Sequence, residues 1–179
     1  MPNFIALGQL SRVELDAARL DGDVYRLGDD YLPIDTIETP AHRLRAALAG
    51  LPEGLAAERG TAAWVWGALP RPPAVAELCV VAPSRVRLDV VPPVVLREVV
   101  LPPEDLVRLA GAAVTSPLRT ALDLARTREG WTEGDTAALA RLAELGRFRL
   151  EEAVARLSRP ARLPGMARAR LRLREALPP

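Results

Sequence analysis

Seven arginines and no carboxylate lie between Ala153 and Arg174: Arg156, Arg159, Arg162, Arg168, Arg170, Arg172 and Arg174. A guanidinium is a planar fork of donors that meets a phosphate or a carboxylate two bonds at a time. The chemistry such a run offers is therefore recognition of a polyanion or of an acidic surface. Net charge is only +1, but it is unevenly placed: residues 141–179 hold 10 arginines against 4 acids, and residues 1–60 hold 6 against 10. That asymmetry points to a polyanionic or acidic partner at the C-terminal end. The plainer alternative is a solvated amphipathic helix, because Met166, Ala169, Leu173 and Leu177 supply an apolar stripe for docking on the chain's own core.

Residues suited to bond-making chemistry are few. His42 is the only histidine, on the polar side of a helix over 41–49, and no Ser or Cys nucleophile motif accompanies it. It reads as an ordinary surface or helix-end histidine. The single Cys79, within Glu77-Leu78-Cys79-Val80-Val81, reads as a small buried hydrophobe. A metal site built from His and Cys is excluded by their number. Asp29-Asp30 and Glu104-Asp105 are paired acids, but both pairs fall in turns, where solvation is expected and adjacent side chains seldom converge. All 24 basic residues are arginine, so no lysine is present for Schiff-base chemistry or a phosphate loop. Neither a catalytic residue nor a cofactor nor a metal is expected, and the chain is not expected to be an enzyme.

The elements that must position these residues follow from caps and periodicity. Ser116 caps a helix whose first position is Pro117, and Leu118, Ala121, Leu122 and Ala125 give it an apolar face. Ser11 and Glu14 form a capping box for a helix over 11–20. Residues 25–32 read as a hairpin turning at Gly28-Asp29. Thr39-Pro40 opens a helix that Gly50 closes, with Leu44, Ala47 and Leu48 buried. Thr61 is a cap for a short helix carrying Trp64 and Trp66, read as core anchors. Valine-rich runs at 78–81, 86–91 and 94–100, separated by prolines, read as strands. Two shorter extended pieces follow at 101–107 and 111–114. Beyond 114 the pattern is helical, at 117–128, 135–145, 150–157 and 166–176. The expected class is α+β: a small, mainly antiparallel sheet with packed helices and an all-helical C-terminal part.

At 179 residues and 49% apolar composition, the chain suits one domain, with room for a small appendage. No stretch approaches the apolar length of a membrane span, and the N-terminus lacks the pattern of a signal peptide. A cytoplasmic protein with no membrane partner is expected.

Three segments in order, Asp23–Asp29, Arg59–Gly67 and Val114–Arg128, give the chain its resemblance to the AbiEi family, the antitoxins and transcriptional repressors of type IV toxin–antitoxin systems. The resemblance runs over roughly residues 10–130. It implies an N-terminal winged helix followed by a larger mixed domain, and a genetic neighbour that is an AbiEii-like nucleotidyltransferase toxin. This chain has only about 20 residues ahead of its hairpin, where a winged helix uses about three helices. The expected organisation is a reduced winged-helix-like segment over 1–38 and an AbiEi-like mixed domain with a basic C-terminal helix over 39–179. The Gly-Ser dipeptide that opens the toxins' active-site motif is absent, so the chain is not the toxin. The resemblance implies a non-enzymatic antitoxin that counters such a toxin, by binding it or by antagonising its effect, and that represses its own operon. A stand-alone DNA-binding regulator and an orphan protein-interaction module are the alternatives. Operator DNA would be met by the C-terminal arginines more than by the front helix, whose Glu14, Asp16 and Asp21 repel phosphates. Four to seven phosphate contacts would give a salt slope of about −4 to −6.

Overall fold

The computed structural model describes residues 10–28, 30–81, 94–157 and 164–178. The first helix, α1 (Arg12–Asp21), opens on the expected capping box: Ser11 Oγ accepts the Glu14 amide at 3.3 Å, and Glu14 Oε2 accepts the Ser11 amide at 2.7 Å. Gly22, at φ 85°, ends it with a left-handed turn. Strands β1 (Val24–Leu27) and β2 (Asp30–Pro33) pair antiparallel as a hairpin. The Tyr31 hydroxyl donates to Asp16 at 2.6 Å and ties the hairpin to α1. No residue of α1 itself is buried.

Helix α2 (Pro40–Leu48) has Thr39 as cap, Pro40 at its start, and Leu44 and Ala46 buried. A five-stranded sheet follows: β3 (Leu55–Ala57), β4 (Ala76–Val81), β5 (Val94–Val99), β6 (Leu106–Leu109) and β7 (Ala112–Thr115), in the order β5-β4-β3-β7-β6. Two pairings are antiparallel, β3 with β4 and β6 with β7; two are parallel, β3 with β7 and β4 with β5. The sheet is thus mixed rather than mainly antiparallel. Valine runs and prolines mark where strands lie, but a parallel pair is set by a crossover between distant segments and leaves no local signature. The strand expected at 86–91 lies outside the described residues.

Helix α3 (Arg59–Val65) begins two residues before the expected cap. Thr61 does not cap it but lies within it, buried, its hydroxyl accepting the Glu77 amide at 2.8 Å. That hydroxyl serves the neighbouring strand instead. After a 3-10 turn at Pro103–Asp105 and the β6–β7 hairpin come α4 (Pro117–Thr127), α5 (Glu133–Gly146), α6 (Leu150–Leu157) and α7 (Met166–Ala176).

Two apolar cores result. Leu44, Trp64, Val65, Leu78 and Val114 fill the space between the sheet and α2 and α3. Leu124, Leu139, Leu142, Leu157 and Leu173 join α4 to α7. Each fully buried side chain of this size contributes about 1.5–3 kcal/mol. Trp66 packs against both cores, and its indole N–H donates to the Thr115 carbonyl at 2.8 Å. The central strand β3 is Leu-Ala-Ala and entirely buried, small side chains admitting close neighbours on both faces.

Candidate functional site: an arginine helix on a buried ion cluster

Helix α4 carries the structural centre of the molecule. Ser116 Oγ accepts the Arg119 amide at 3.3 Å, and this start sets the phase that brings Arg119, Asp123 and Arg126 to one side. Asp123 is 1% exposed, and its carboxylate meets Arg119 at 2.7 Å, Arg126 at 3.1 Å and Arg97 of β5 at 3.9 Å. Arg119 extends further to Asp105 at 3.0 Å, and Arg156 of α6 reaches the other Asp105 oxygen at 2.9 Å. On the sheet side, Arg97 grips both oxygens of buried Glu58.

Arg59 lies between Glu58 and Glu77, 3.6 Å from each, and adopts φ 47°, a left-handed backbone that costs on the order of 1 kcal/mol outside glycine. The Gly60 amide donates to Glu77 at 2.8 Å, and a β-carbon there would approach the same carboxylate oxygen to 2.7 Å, so a side chain at 60 would have to displace Glu77.

These surroundings move the guanidinium pKa values in different directions. Arg97 is raised, first by its hydrogen bonds to Glu58 and against the cost of burial. Burial acts most strongly on Arg119, yet Asp123 and Asp105 more than offset it and the pKa rises. Arg126 falls below its usual value through burial, and Arg119, Arg97 and Arg59 add to the fall against the pull of Asp123. Cys79, fully buried behind Glu58 and Arg97, has its thiol pushed up to about 12 by burial and then by the Glu58 charge. The cavity beside Asp105, Asp123 and Arg156 is only about 30 Å³, space for about one water. Carboxylates this fully engaged by guanidinium groups are suited to holding the sheet, α4 and α6 together.

The expected site residues divide by what they touch. Arg156 is the α6 member of the cluster, with Glu104 also 3.7 Å away. Arg172 lies 4.2 Å from the Trp131 ring centre and donates to the Ala125 carbonyl at 2.9 Å, so it fastens α7 to the helices beneath. Ala169, Leu173 and Leu177 bury the inner face of α7, while Arg168, Arg170 and Arg174 are exposed on its outer side around Leu171. Arg159 and Arg162 lie outside the described residues.

The family model for the AbiEi antitoxin C-terminal domain matches residues 54–177. The chain belongs to the AbiEi antitoxin family. No curated protein matches the chain. The matched stretch runs from β3 to the end of α7, so the AbiEi domain contains the whole sheet, the ion cluster and the arginine helix, and leaves out α1, the hairpin and α2. The role that follows is that of an antitoxin or regulator in a toxin–antitoxin system. No helix among the described residues is long and apolar enough to cross a membrane.

One expectation about the AbiEi domain is corrected. Asp105 is not a solvated turn carboxylate: it is 3% exposed and bound by two arginines, while Glu104 beside it is the exposed member of the pair. The signal was present in residues 114–128. Arg119, Asp123 and Arg126 recur at i, i+4 and i+7, a polar stripe within an otherwise apolar helix, and such a stripe needs charged partners from elsewhere in the fold.

Proposed function

We propose that the protein is the non-enzymatic antitoxin of a type IV system, acting in the cytoplasm against an AbiEii-like nucleotidyltransferase toxin. The observation that carries this reading is the AbiEi match over residues 54–177. The full engagement of Glu58, Asp105 and Asp123 by arginines supports a role without catalysis. In this reading Arg168, Arg170 and Arg174 make the contact with an acidic surface of the toxin. Arg156 and Arg172 hold the platform beneath them, and Arg159 and Arg162 add positive potential. Co-expression with the nucleotidyltransferase encoded beside it tests the proposal. Restored growth is expected, with co-elution of the two proteins if neutralisation is direct. Undiminished toxicity would overturn it.

A second reading is favoured by one observation, the exposure of three arginines along a single helix. The protein then also represses its own operon, with the helix and hairpin of residues 1–38 acting as a reduced winged helix and α7 supplying most of the phosphate contacts. Three neutralised phosphates give a salt slope of about −3 on duplex DNA. A slope near zero on the duplex upstream of the gene would remove this reading and leave the first intact.

A further inference from the structure

The two ends of the chain carry opposite charge, and each leaves apolar side chains in water. On α1, Val13, Ala17 and Leu20 recur at i, i+4 and i+7 as a stripe; Val13 is 77% exposed and Leu20 78%. Glu14 and Asp21 run along one flank of that stripe, and the exposed Arg12 and Arg19 along the other, so the acidic contact is offered by the flank of Glu14 and Asp21. Glu14 satisfies Ser11 through Oε2 alone, which leaves Oε1 for a partner. Residues 11–38 hold 8 acids and 3 arginines. On α7 the sign is reversed. Leu171, 68% exposed, has Arg168 and Arg174 three positions to either side on the same face, and residues 164–178 hold 4 arginines and one acid. Among the described residues, Asp21, Arg168 and Arg174 form no ion pair within the chain.

We propose that the acidic α1 face of one copy docks on the basic α7 face of a second copy, head to tail. The spacings agree. Glu14 and Asp21 are separated by about 10 Å along their helix, and Arg168 and Arg174 by about 9 Å along theirs, at 1.5 Å per residue. Because Arg168 and Arg174 stand on opposite sides of Leu171, the two helices must cross for both ion pairs to form, with Leu171 between Val13 and Leu20, above Ala17, whose small side chain leaves room for it. A nucleic acid is a poor occupant of the α1 face because Glu14, Asp16 and Asp21 repel phosphates. The chain's own tail supplies the complement in both charge and apolarity. Because the two faces differ, the contact is heterologous: each docked copy keeps a free front or a free tail, and association continues into a chain or closes into a ring. The contact is small and edged by exposed charges, so it is weak and sensitive to salt. It uses the arginines assigned above to the toxin or to DNA, so an anionic partner competes with it. It does not depend on which of those partners is real.

Sedimentation velocity of the full chain over a wide range of protein concentration, at low and at high salt, tests the proposal. The wild-type protein is expected to grow past a dimer at low salt and to return to monomer at high salt. Leu20→Arg breaks the front and Leu171→Glu breaks the tail. Each variant is expected to weaken association by about tenfold or more, with circular dichroism verifying that both fold. Mixed together they form one dimer that grows no further, because one intact front and one intact tail remain. Asp21→Arg combined with Arg174→Glu restores association in a single chain. A wild-type protein that stays monomeric at low salt overturns the proposal. So does self-association that persists in Leu171→Glu alone, which would place the contact between two fronts.

Discussion

Arginine is used in opposite ways on the two sides of the AbiEi domain. Around α4, Arg97, Arg119 and Arg126 converge on Asp123 from two elements, and a buried carboxylate neutralises each of them in part. On α7 the same residue type stands outward at 168, 170 and 174 with a single acid, Glu175, on the helix. Composition does not separate the two groups. What separates Arg119 and Arg126 from Arg168 and Arg174 is a buried carboxylate within reach, Asp123 on their own helix, with Asp105 from the 3-10 turn also meeting Arg119.

The difference breaks first at Asp123. Asp123→Ala leaves three guanidinium groups without their shared anion in a buried site, and the expected loss is about 3–5 kcal/mol. A fall of the urea midpoint at unchanged slope measures it. A loss under about 1 kcal/mol would mean that solvent, not the carboxylate, neutralises the cluster. The next effect concerns how α7 is set on α4. Gly165 has φ 83°, and a β-carbon there would lie 2.5 Å from the Arg126 carbonyl oxygen. Gly165→Ala combines a disfavoured backbone with a clash against main chain, and about 2–3 kcal/mol is expected from the thermal midpoint.

Cys79 reports on the same cluster through pH. Its thiol is raised from the usual 9.0 to about 12, so the folded state keeps the proton while the unfolded chain loses it. Stability from this group is complete below pH 9 and falls as pH rises toward 12. The slope is at most about 1.4 kcal/mol per pH unit, or about 2 kcal/mol by pH 10.5. Cys79→Ala is expected to remove that part of the alkaline loss in paired denaturation curves. An unchanged alkaline slope would show that the site behind Glu58 and Arg97 admits water.

Local structure was legible where a single residue decides it. Ser11, Thr39 and Ser116 cap the helices they announce, and the last two helices run over 150–157 and 166–176 as their patterns indicate. The apolar face of α4 was legible too, since periodicity marks burial: Ala121, Leu122 and Ala125 are inside, whereas on α2 Ala46 is buried with Leu44 and the expected Ala47 and Leu48 are only half-buried. Less legible was β3, three residues with no β-branched side chain, which is a strand only because β4 and β7 flank it. The ion cluster leaves the faintest local trace. Glu58, Arg97, Asp105, Asp123 and Arg156 lie far apart in the chain, and each alone resembles a solvated surface charge. Only the stripe of Arg119, Asp123 and Arg126 could have shown that charge was being carried inward.

Arg172 belongs to α7 by position and to the buried set by contact, so it tests where the boundary falls. Arg172→Ala removes the stacking on Trp131 and the hydrogen bond to the Ala125 carbonyl, and about 1–2 kcal/mol is expected. Arg172→Lys keeps the charge and loses the planar stack, so it recovers only part of that loss. Equal stability for the lysine variant would mean that charge alone seats the helix.

The smallest expected effect on stability carries the most information about function. Arg168→Ala with Arg174→Ala removes two exposed charges that have no ion-pair partner among the described residues, and the change should stay within about 0.5 kcal/mol. If these arginines meet a polyanion, the same double variant reduces the salt slope of duplex binding by about 2. Co-elution with an acidic toxin should weaken in parallel. A large loss of stability would move both residues into the structural set. With stability and binding both unchanged, Arg168 and Arg174 would be ordinary solvated charges. The partner surface would then have to be sought on α1, where Val13 and Leu20 stand exposed.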